Sequence, residues 1–226
     1  ATVRSWHHGR YRAMRSERAR ELLTALMPKL LAALAGTANP DATFARFDEF
    51  LGRLPGGVQL FSLFYANPGL LDLVAEIMGT APLLADILGR NPGLLDAVLA
   101  PDFRQPLPPV AELLAELDRQ LTDAGDFQDV LDTTRRWTNE RKFQVGVQQL
   151  QHMADVDVAS RALTDVVDTV LSALLPKVTA AFAEQHGEVA GGGLAVIGMG
   201  KLGGVERTFG SDLDLFFVYQ HAESAE

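Results

Sequence analysis

The 226-residue chain has 47% apolar and 22% charged residues, a balance that excludes a disordered or fibrous protein. Its formal net charge of −9 speaks against a nucleic-acid or anionic-membrane partner, and the lack of cysteine excludes disulfides and thiolate metal sites. No apolar run approaches the roughly 18 residues of a membrane span and no signal peptide is visible, so we expect a cytoplasmic protein.

The N-terminal segment is strongly basic. Six arginines and one acidic residue, Glu17, fall within the first 20 residues, whereas the rest of the chain has 14 basic and 28 acidic residues. These arginines indicate a solvated helix face, a contact with a missing upstream module or a contact with an acidic surface of this one. From Ser16, a candidate N-cap, leucines at three- and four-residue spacings predict a helix that stops at Gly36. The adjacent His7-His8 pair has no further ligand nearby and is interpreted as structural.

Short helices are predicted over the next 60 residues. Asn39-Pro40 marks a helix start, and Val58–Ala66 is apolar nearly all round, which predicts a central buried helix. The segment that begins at Asn67 recurs 24 residues later at Asn91, and each copy predicts a helix with a capping residue and proline at its start. Two copies are too few for a solenoid, so we expect a compact array of short helices.

Four prolines in residues 100–109 mark a corner between two groups of helices. Three longer helices are then predicted from apolar periodicity: Val110–Leu121, Phe127–Met153 and Val156–His186. Pro176 predicts a kink or a division in the last of them. Residues 187–193 form a glycine-rich hinge that follows these helices.

An aspartate pair follows the hinge. Two apolar runs, Leu194–Ile197 and Leu213–Tyr219, are interpreted as short buried strands. Asp212 and Asp214 open the second run, and side chains that alternate along a strand would point both carboxylates to one face. The glycine-rich turn before them offers amide groups for an anion. The pattern favours a site for a hard divalent cation such as Mg²⁺ over a solvated strand entry.

Two other phosphate motifs fail on spacing. Gly198-Met-Gly200-Lys-Leu-Gly203 matches G-x-G-x-x-G, but only eight residues, 204–211, precede Asp212, which is too few for the crossover of a dinucleotide-binding fold. A P-loop would need a glycine and a hydroxyl where the sequence has Ala195 and Leu202.

The stretch Gly191–Tyr219 instead resembles the signature of the nucleotidyltransferase superfamily, which has a polymerase-β-like fold. Within it, GMGKLGG and TFGSDLDLFFVY, together with WHHGRYRAMRSERARELL and LPGGVQLFSLFYANPGLLDL upstream, resemble the bifunctional glutamine synthetase adenylyltransferase/adenylyl-removing enzymes. The resemblance covers essentially the whole chain and corresponds to the linker and the start of the second, adenylylating half. It implies a mainly α fold, a multi-helix array or bundle followed by the first two strands of a truncated α/β nucleotidyltransferase module.

We therefore expect a helical domain over residues 1–186, with subregions 1–100 and 110–186, and the start of the catalytic domain over residues 187–226. Asp212 and Asp214 are the expected catalytic Mg²⁺ ligands. The expected nucleotide- and phosphate-binding residues are Gly200, Lys201, Gly203, Gly204, Arg207, Gly210 and Ser211. Of these, Lys201 and Arg207 would either supply charge to the phosphates or face solvent.

The resemblance implies a function for the site. In this family, AMP moves from ATP to a tyrosine hydroxyl of glutamine synthetase, the other half of the enzyme removes AMP by phosphorolysis, and a PII nitrogen-signalling protein regulates both. The superfamily's third carboxylate lies on a later strand, so we expect a piece of a longer chain that is inactive alone. The direction of transfer stays open.

Two alternatives also stay open. The first is a nucleotidyltransferase with another acceptor. The second is a helical interaction and regulatory scaffold between two catalytic modules, in which the aspartate pair is idle and arginines of residues 4–20 or 135–142 contact the partner. In the family that the chain resembles, the helix with residues 135–142 packs beside the catalytic module. The basic side chains of these residues would then either contact phosphate or an interface, or face solvent.

Overall fold

The computed structural model describes residues 2–7 and 10–222, so His8 of the histidine pair and the last four residues lie outside the described part of the chain. The chain divides into two compact units, one up to Phe103 and one from Arg104 onward. The helices are α1 (Thr2–His7), α2 (Glu17–Ala35), α3 (Pro40–Arg53), α4 (Val58–Ala66), α5 (Gly69–Thr80), α6 (Pro82–Arg90), α7 (Leu94–Val98), α8 (Val110–Leu121), α9 (Phe127–Leu150), α10 (Val156–His186) and α11 (Gly200–Gly203). Strands β1 (Gly193–Gly198) and β2 (Leu215–Gln220) complete the fold, which confirms the predicted mainly helical chain that ends in two strands.

The predicted domain boundary at residue 187 stays a prediction.

Side-chain caps fix the first helix starts of the N-terminal unit. The Ser16 hydroxyl accepts a hydrogen bond from the Ala19 amide at 3.1 Å, and Asn39 Oδ1 accepts one from the Ala42 amide at 3.2 Å. Each cap satisfies a backbone N–H that has no partner within the helix. Both predicted starts are therefore confirmed, and α2 ends at Gly36 as predicted.

The capped starts predicted at Asn67 and Asn91 are wrong. Helices α5 and α7 begin without a side-chain hydrogen bond to their first turn. The Asn67 side chain instead donates from Nδ2 to the Leu63 carbonyl at 3.1 Å, so it closes the preceding helix α4. An asparagine between two helices can serve either neighbour, and the sequence pattern does not distinguish the two uses.

Helix α4 is buried on one face only. Leu60, Phe61 and Phe64 are buried, whereas Val58 is 39% and Tyr65 is 61% exposed. The prediction that α4 is buried all round is therefore wrong. Among the described residues α4 packs against α2 and α5, and these two neighbours leave its far side open.

Helices α8, α9 and α10 form a bundle in the second unit, in which α10 packs against both of the others. Its core contains Leu113, Leu117, Leu121, Val130, Trp137, Val166 and Ala173. Pro176 does not divide α10, which is continuous over Val156–His186. The bounds predicted for α8 and α10 are confirmed, and the prediction for α9 overran its end by three residues.

A polar cluster joins α8 to α9. Glu116 Oε1 accepts a hydrogen bond from Trp137 Nε1 at 2.9 Å and a second one from Arg141 Nη2. The Arg141 guanidinium also lies 5.9 Å from the centroid of the Trp137 ring and donates to Gln144 Oε1. One carboxylate therefore satisfies two donors of the neighbouring helix at a partly buried position.

By length and composition alone, α10 is long and apolar enough to cross a membrane, and α4 with α5 passes the same test only as a pair bent by 113°. One such helix is weak evidence for a span, because core helices of soluble proteins have the same composition. The first half of α10 contributes Leu163 and Val166 to packing in the bundle, whereas Val178 and Phe182 near its end are exposed.

The two strands pair antiparallel, with Gly193 opposite Gln220 and Gly198 opposite Leu215. This arrangement needs no crossover helix, in agreement with the exclusion of a dinucleotide-binding fold. The prediction that both strands are buried is wrong for the described residues: Phe216 and Phe217 point to opposite faces, and each is more than half exposed. No layer of the described chain covers either face of this two-stranded sheet.

Candidate functional site

The turn after β1 is built on close backbone contacts that only glycine allows. The chain leaves β1 at Gly198 and forms the single-turn helix α11. A Cβ atom added at Gly203 would lie 2.6 Å from the Gly198 carbonyl oxygen, closer than side-chain atoms approach backbone. The glycines that the sequence suggested for phosphate binding thus also shape the turn.

Gly200 lies directly against the second aspartate. Its φ of 53° is in the left-handed region, and a Cβ atom there would meet Asp214 Oδ2 at 2.5 Å. The Met199 amide donates a hydrogen bond to the Asp214 carbonyl at 2.8 Å. Met199, just before α11, therefore holds Asp214 by its backbone, and Gly200 leaves room for its carboxylate.

Val205, two residues after the end of α11, has a backbone conformation that glycine usually adopts. Its φ is 56°, although the adjacent Gly204 keeps a right-handed conformation. The amides of Val205 and Glu206 donate back to the carbonyls of Leu202 and Lys201, which closes the helix end. A β-branched residue in this region costs about 1–2 kcal/mol, so the turn is held by its surroundings rather than by local preference.

Asp212 and Asp214 lie in an irregular segment just before β2, not on the strand, so strand alternation does not set the direction of their side chains. Both residues are exposed, and neither forms an ion pair with any described residue. In residues 2–7 and 10–222, no three His, Asp or Glu side chains are placed to hold a metal ion. Two unpaired carboxylates fit part of the oxygen ligand set of Mg²⁺.

Arg207 is buried beside the aspartates, at 5% exposure. It donates from Nη1 to the Asp212 carbonyl at 3.0 Å and from Nη2 to the Ser211 carbonyl at 3.1 Å. Burial lowers its pKa, and the charge of Asp212 opposes that shift. Its Nε is buried and has no hydrogen-bond partner among the described residues. Its Nη groups hold main chain, so the expected contact of Arg207 with phosphate stays a prediction.

A tight turn precedes the aspartates. The Ser211 amide donates to the Thr208 carbonyl at 3.1 Å, and the Thr208 amide donates to Ser211 Oγ at 2.9 Å. The two hydroxyl groups also lie 2.9 Å apart. The Ser211 hydroxyl, expected near the phosphates, thus stabilises its own turn, and Gly210 lies exposed within that turn.

The remaining predicted site residues lie on the surface of α11. Lys201 and Gly204 are exposed, as are Gly200 and Gly203. The close approach of Gly200 to Asp214 brings the glycine turn and the aspartates together. The Lys201 side chain contacts no partner among the described residues that would orient it. Its phosphate role stays a prediction.

The contact of Phe209 is not predicted from the sequence, whereas a contact of the helix with residues 135–142 is one of the alternatives that the resemblance leaves open. Phe209 packs against a buried cluster of Val145, Ala159 and Leu163 from α9 and α10. Lys142, one turn before Val145, has a pKa lowered by burial and then by the charge of Arg207, so α9 lies close to the Arg207 guanidinium. An aromatic residue between Thr208 and Gly210 in a polar loop is the available signal for such a contact.

Comparison with known families and proteins adds to this geometry. Residues 71–226, from α5 onward, match the family model described as glutamate-ammonia ligase adenylyltransferase. The chain belongs to this adenylyltransferase family. The matched region of this family member includes α11, Asp212 and Asp214, so the resemblance seen in the sequence is confirmed.

Curated relatives of this adenylyltransferase-family chain carry the name bifunctional glutamine synthetase adenylyltransferase/adenylyl-removing enzyme. The chain is 46% identical over 224 residues to the protein of Mesorhizobium japonicum and 43% identical over 224 residues to that of Brucella suis, with 99% of this chain and 23% of each relative covered. The protein of Caulobacter vibrioides is 40% identical over 221 residues, 97% of this chain and 21% of the relative. The chain therefore spans less than a quarter of the length of these relatives.

Proposed function

We propose that this chain forms part of an enzyme that moves AMP from ATP to a tyrosine hydroxyl of glutamine synthetase, with release of pyrophosphate. The observation that carries the proposal is the placement of two exposed, unpaired carboxylates, Asp212 and Asp214, against the glycine-built turn at Gly200. The names of the relatives, which include adenylyl transfer to glutamine synthetase and adenylyl removal, support the choice of reaction and acceptor.

In this proposal Asp212 and Asp214 hold Mg²⁺. When bound, the ion neutralises charge that develops on the phosphate oxygens during transfer. The exposed surface of α11, with Gly203, Gly204 and Lys201, receives the triphosphate of ATP. Arg207 and Ser211 hold the loop that presents the aspartates, and Gly210 lies in its turn. The chemistry is positioning and charge stabilisation, so the chain contributes rigid geometry more than a reactive group.

The proposal extends to a whole bifunctional enzyme, which is how the relatives are named. A second module would remove AMP by phosphorolysis, and a PII protein would regulate both directions in the cytoplasm. Since the chain spans less than a quarter of the relatives and the described residues offer two carboxylates rather than three, we propose that these 226 residues alone do not turn over ATP. Turnover by the isolated chain would contradict this part.

The test is substitution of the aspartates in a chain of the relatives' full length. Asp212→Ala or Asp214→Ala should lower the rate of adenylyl transfer at least about a hundredfold, the usual loss for a group that stabilises transition-state charge. Both side chains are exposed and unpaired, so the melting temperature should change little. The readout is incorporation of labelled AMP into glutamine synthetase at saturating Mg²⁺.

The matched control is Asp118→Ala, which should leave transfer unchanged. Asp118 is an exposed aspartate on α8, distant in sequence from the glycine turn. Full activity of both Asp212→Ala and Asp214→Ala would refute the proposal. Loss of transfer to glutamine synthetase with retained transfer to another acceptor would favour a nucleotidyltransferase of different specificity.

The scaffold alternative is favoured by one observation. Arg4, Arg10, Arg12 and Arg15 are exposed and form no ion pair with any described residue, so they are available to an acidic partner surface. If the chain acts only as a scaffold, Arg12→Glu with Arg15→Glu would weaken binding of glutamine synthetase or of the other module. The aspartate substitutions would then have no effect.

A further inference from the structure

The segment that carries the aspartates, residues 205–214, is here called the aspartate loop. It connects α11 to β2 and lies outside regular secondary structure. Its backbone therefore lacks the ladder of hydrogen bonds that orders a strand. Two side chains within the loop add to its few backbone hydrogen bonds, which include those from Met199 to Asp214 and from Ser211 to Thr208.

The first is Arg207, which binds the backbone on both sides of Asp212. Its two terminal nitrogens donate to the consecutive carbonyls of Ser211 and Asp212 at 3.1 and 3.0 Å. The planar guanidinium presents paired donors in a fixed geometry, which suits two neighbouring acceptors. These contacts are to carbonyls, and the Asp212 carboxylate forms no ion pair with Arg207 among the described residues.

The second is Phe209, which joins the aspartate loop to the helical bundle. Its ring packs against the buried cluster of Val145, Ala159 and Leu163 on α9 and α10. Lys142 of α9 also lies close enough to Arg207 for the charge of one to lower the pKa of the other. The bundle therefore contacts the aspartate loop with an apolar anchor and borders the buried arginine.

We propose that Arg207 and Phe209 are positioning residues that set Asp212 for metal binding from the helical bundle, rather than from the sheet. This rests on the proposed function, since it assigns a cation to Asp212. It gives the bundle a direct part in the site, because its helices α9 and α10 carry the surface on which the loop rests. Substitutions of residues that orient metal ligands typically cost ten- to a hundredfold in metal affinity.

The first arm of the test follows hydrogen exchange in the 226-residue chain without metal. In Arg207→Lys, which keeps the charge but loses the paired donors, the amides of Thr208, Ser211 and Met199 should exchange several times faster. Exchange in the ladder between β1 and β2 should not change. The matched control is Arg136→Lys on α9, which replaces an exposed arginine that donates to no backbone carbonyl among the described residues. Unchanged exchange in Arg207→Lys would overturn the positioning role.

The second arm measures Mg²⁺ activation in a chain of the relatives' full length. Arg207→Lys and Phe209→Ser should raise the Mg²⁺ concentration for half-maximal transfer about tenfold or more, whereas Phe209→Leu, which keeps an apolar contact, should restore most of the affinity. A merely structural role would lower the melting temperature without this shift.

The outcomes separate this inference from the proposed function. Faster loop exchange with an unchanged Mg²⁺ requirement would overturn the inference and leave the proposed function intact. Full activity of Asp212→Ala would refute the proposed function, while the exchange arm would still report whether Arg207 and Phe209 order the loop. Faster exchange together with a weakened Mg²⁺ response supports both.

Discussion

Gly200 is the residue at which one added methyl group would disturb the site most directly. Its left-handed φ of 53° strains any other residue, and the added Cβ would lie 2.5 Å from Asp214 Oδ2. We expect Gly200→Ala to lower the free energy of unfolding by about 1–2 kcal/mol through backbone strain and to displace the Asp214 carboxylate. Urea denaturation measures the first effect, and Mg²⁺ activation of the full-length chain measures the second.

Gly56→Ala is the matched control for that prediction. A Cβ atom at Gly56 would meet no atom within 4 Å, and its φ lies outside the left-handed region. The substitution should change stability by less than about 0.5 kcal/mol, as surface changes usually do. Equal stability of the two variants would show that the turn at Gly200 is not held in this conformation.

At the residue scale, the sequence predicts the caps at Ser16 and Asn39 but not the different use of Asn67, and it predicts long-range contacts poorly. Ser16 and Asn39 are recognisable as caps because a cap bonds to an amide only three residues away. The burial of Arg207 depends on α9, more than 50 residues earlier in the chain, so no local pattern indicates it. The same holds for Phe209, whose partners come from two different helices.

Among the elements, the contact between α8 and α9 depends on Glu116. Its carboxylate satisfies both Trp137 and Arg141, so Glu116→Ala would leave two partly buried donors without their acceptor. We expect the free energy of unfolding to fall by about 2 kcal/mol, within the range for an unsatisfied partner of a charged group. Trp137 fluorescence in a Trp6→Phe background reports this unit alone.

Glu116→Gln should lose less than Glu116→Ala, since the amide oxygen still accepts from Trp137. Asp118→Ala, two residues along the same helix and exposed, should be nearly neutral. If Glu116→Ala were as stable as Asp118→Ala, the pairing of α8 with α9 would depend on its leucines alone.

Element bounds follow from periodicity where one face of a helix is apolar. Helices α8 and α10 begin and end where the pattern predicts, and in α8 the polar residues of the other face also mark which side is buried. Helix α4 does have two polar residues, Gln59 and Ser62, which are exposed and lie on the same helical face as Tyr65, so the sequence marks its exposed side although its overall apolar composition predicts burial. The first strand is located correctly, whereas the second begins at Leu215, two residues later than predicted; the exposure of both depends on what covers them, which two short apolar runs do not indicate.

For the whole molecule, the two compact units are expected to fold independently. The residues up to Phe103 have their own aromatic and leucine core, and the residues from Arg104 onward have the bundle core of α8, α9 and α10. Expressed separately, residues 1–103 and 104–226 should each unfold cooperatively on heating, as followed by circular dichroism.

A cut within α9, giving residues 1–138 and 139–226, is the control. It would divide a core helix, so neither product should contain a complete bundle. Loss of near-ultraviolet circular dichroism with retained helix content in residues 104–226 would contradict independent folding of that unit, because it would indicate a molten state.

The packing of Phe209 has a consequence for the chain between α10 and the aspartate loop. That chain leaves the end of α10 through the glycine-rich hinge at residues 187–193, runs through β1 and α11, and returns to the first half of α10 at Phe209. This stretch is therefore a loop whose ends are joined by a packing contact. The entropic free-energy cost of closing such a loop rises by only about 0.6 kcal/mol for each doubling of its length. Insertions in the hinge would lengthen this loop at little cost in stability, because Phe209 would still keep the aspartates attached to the bundle.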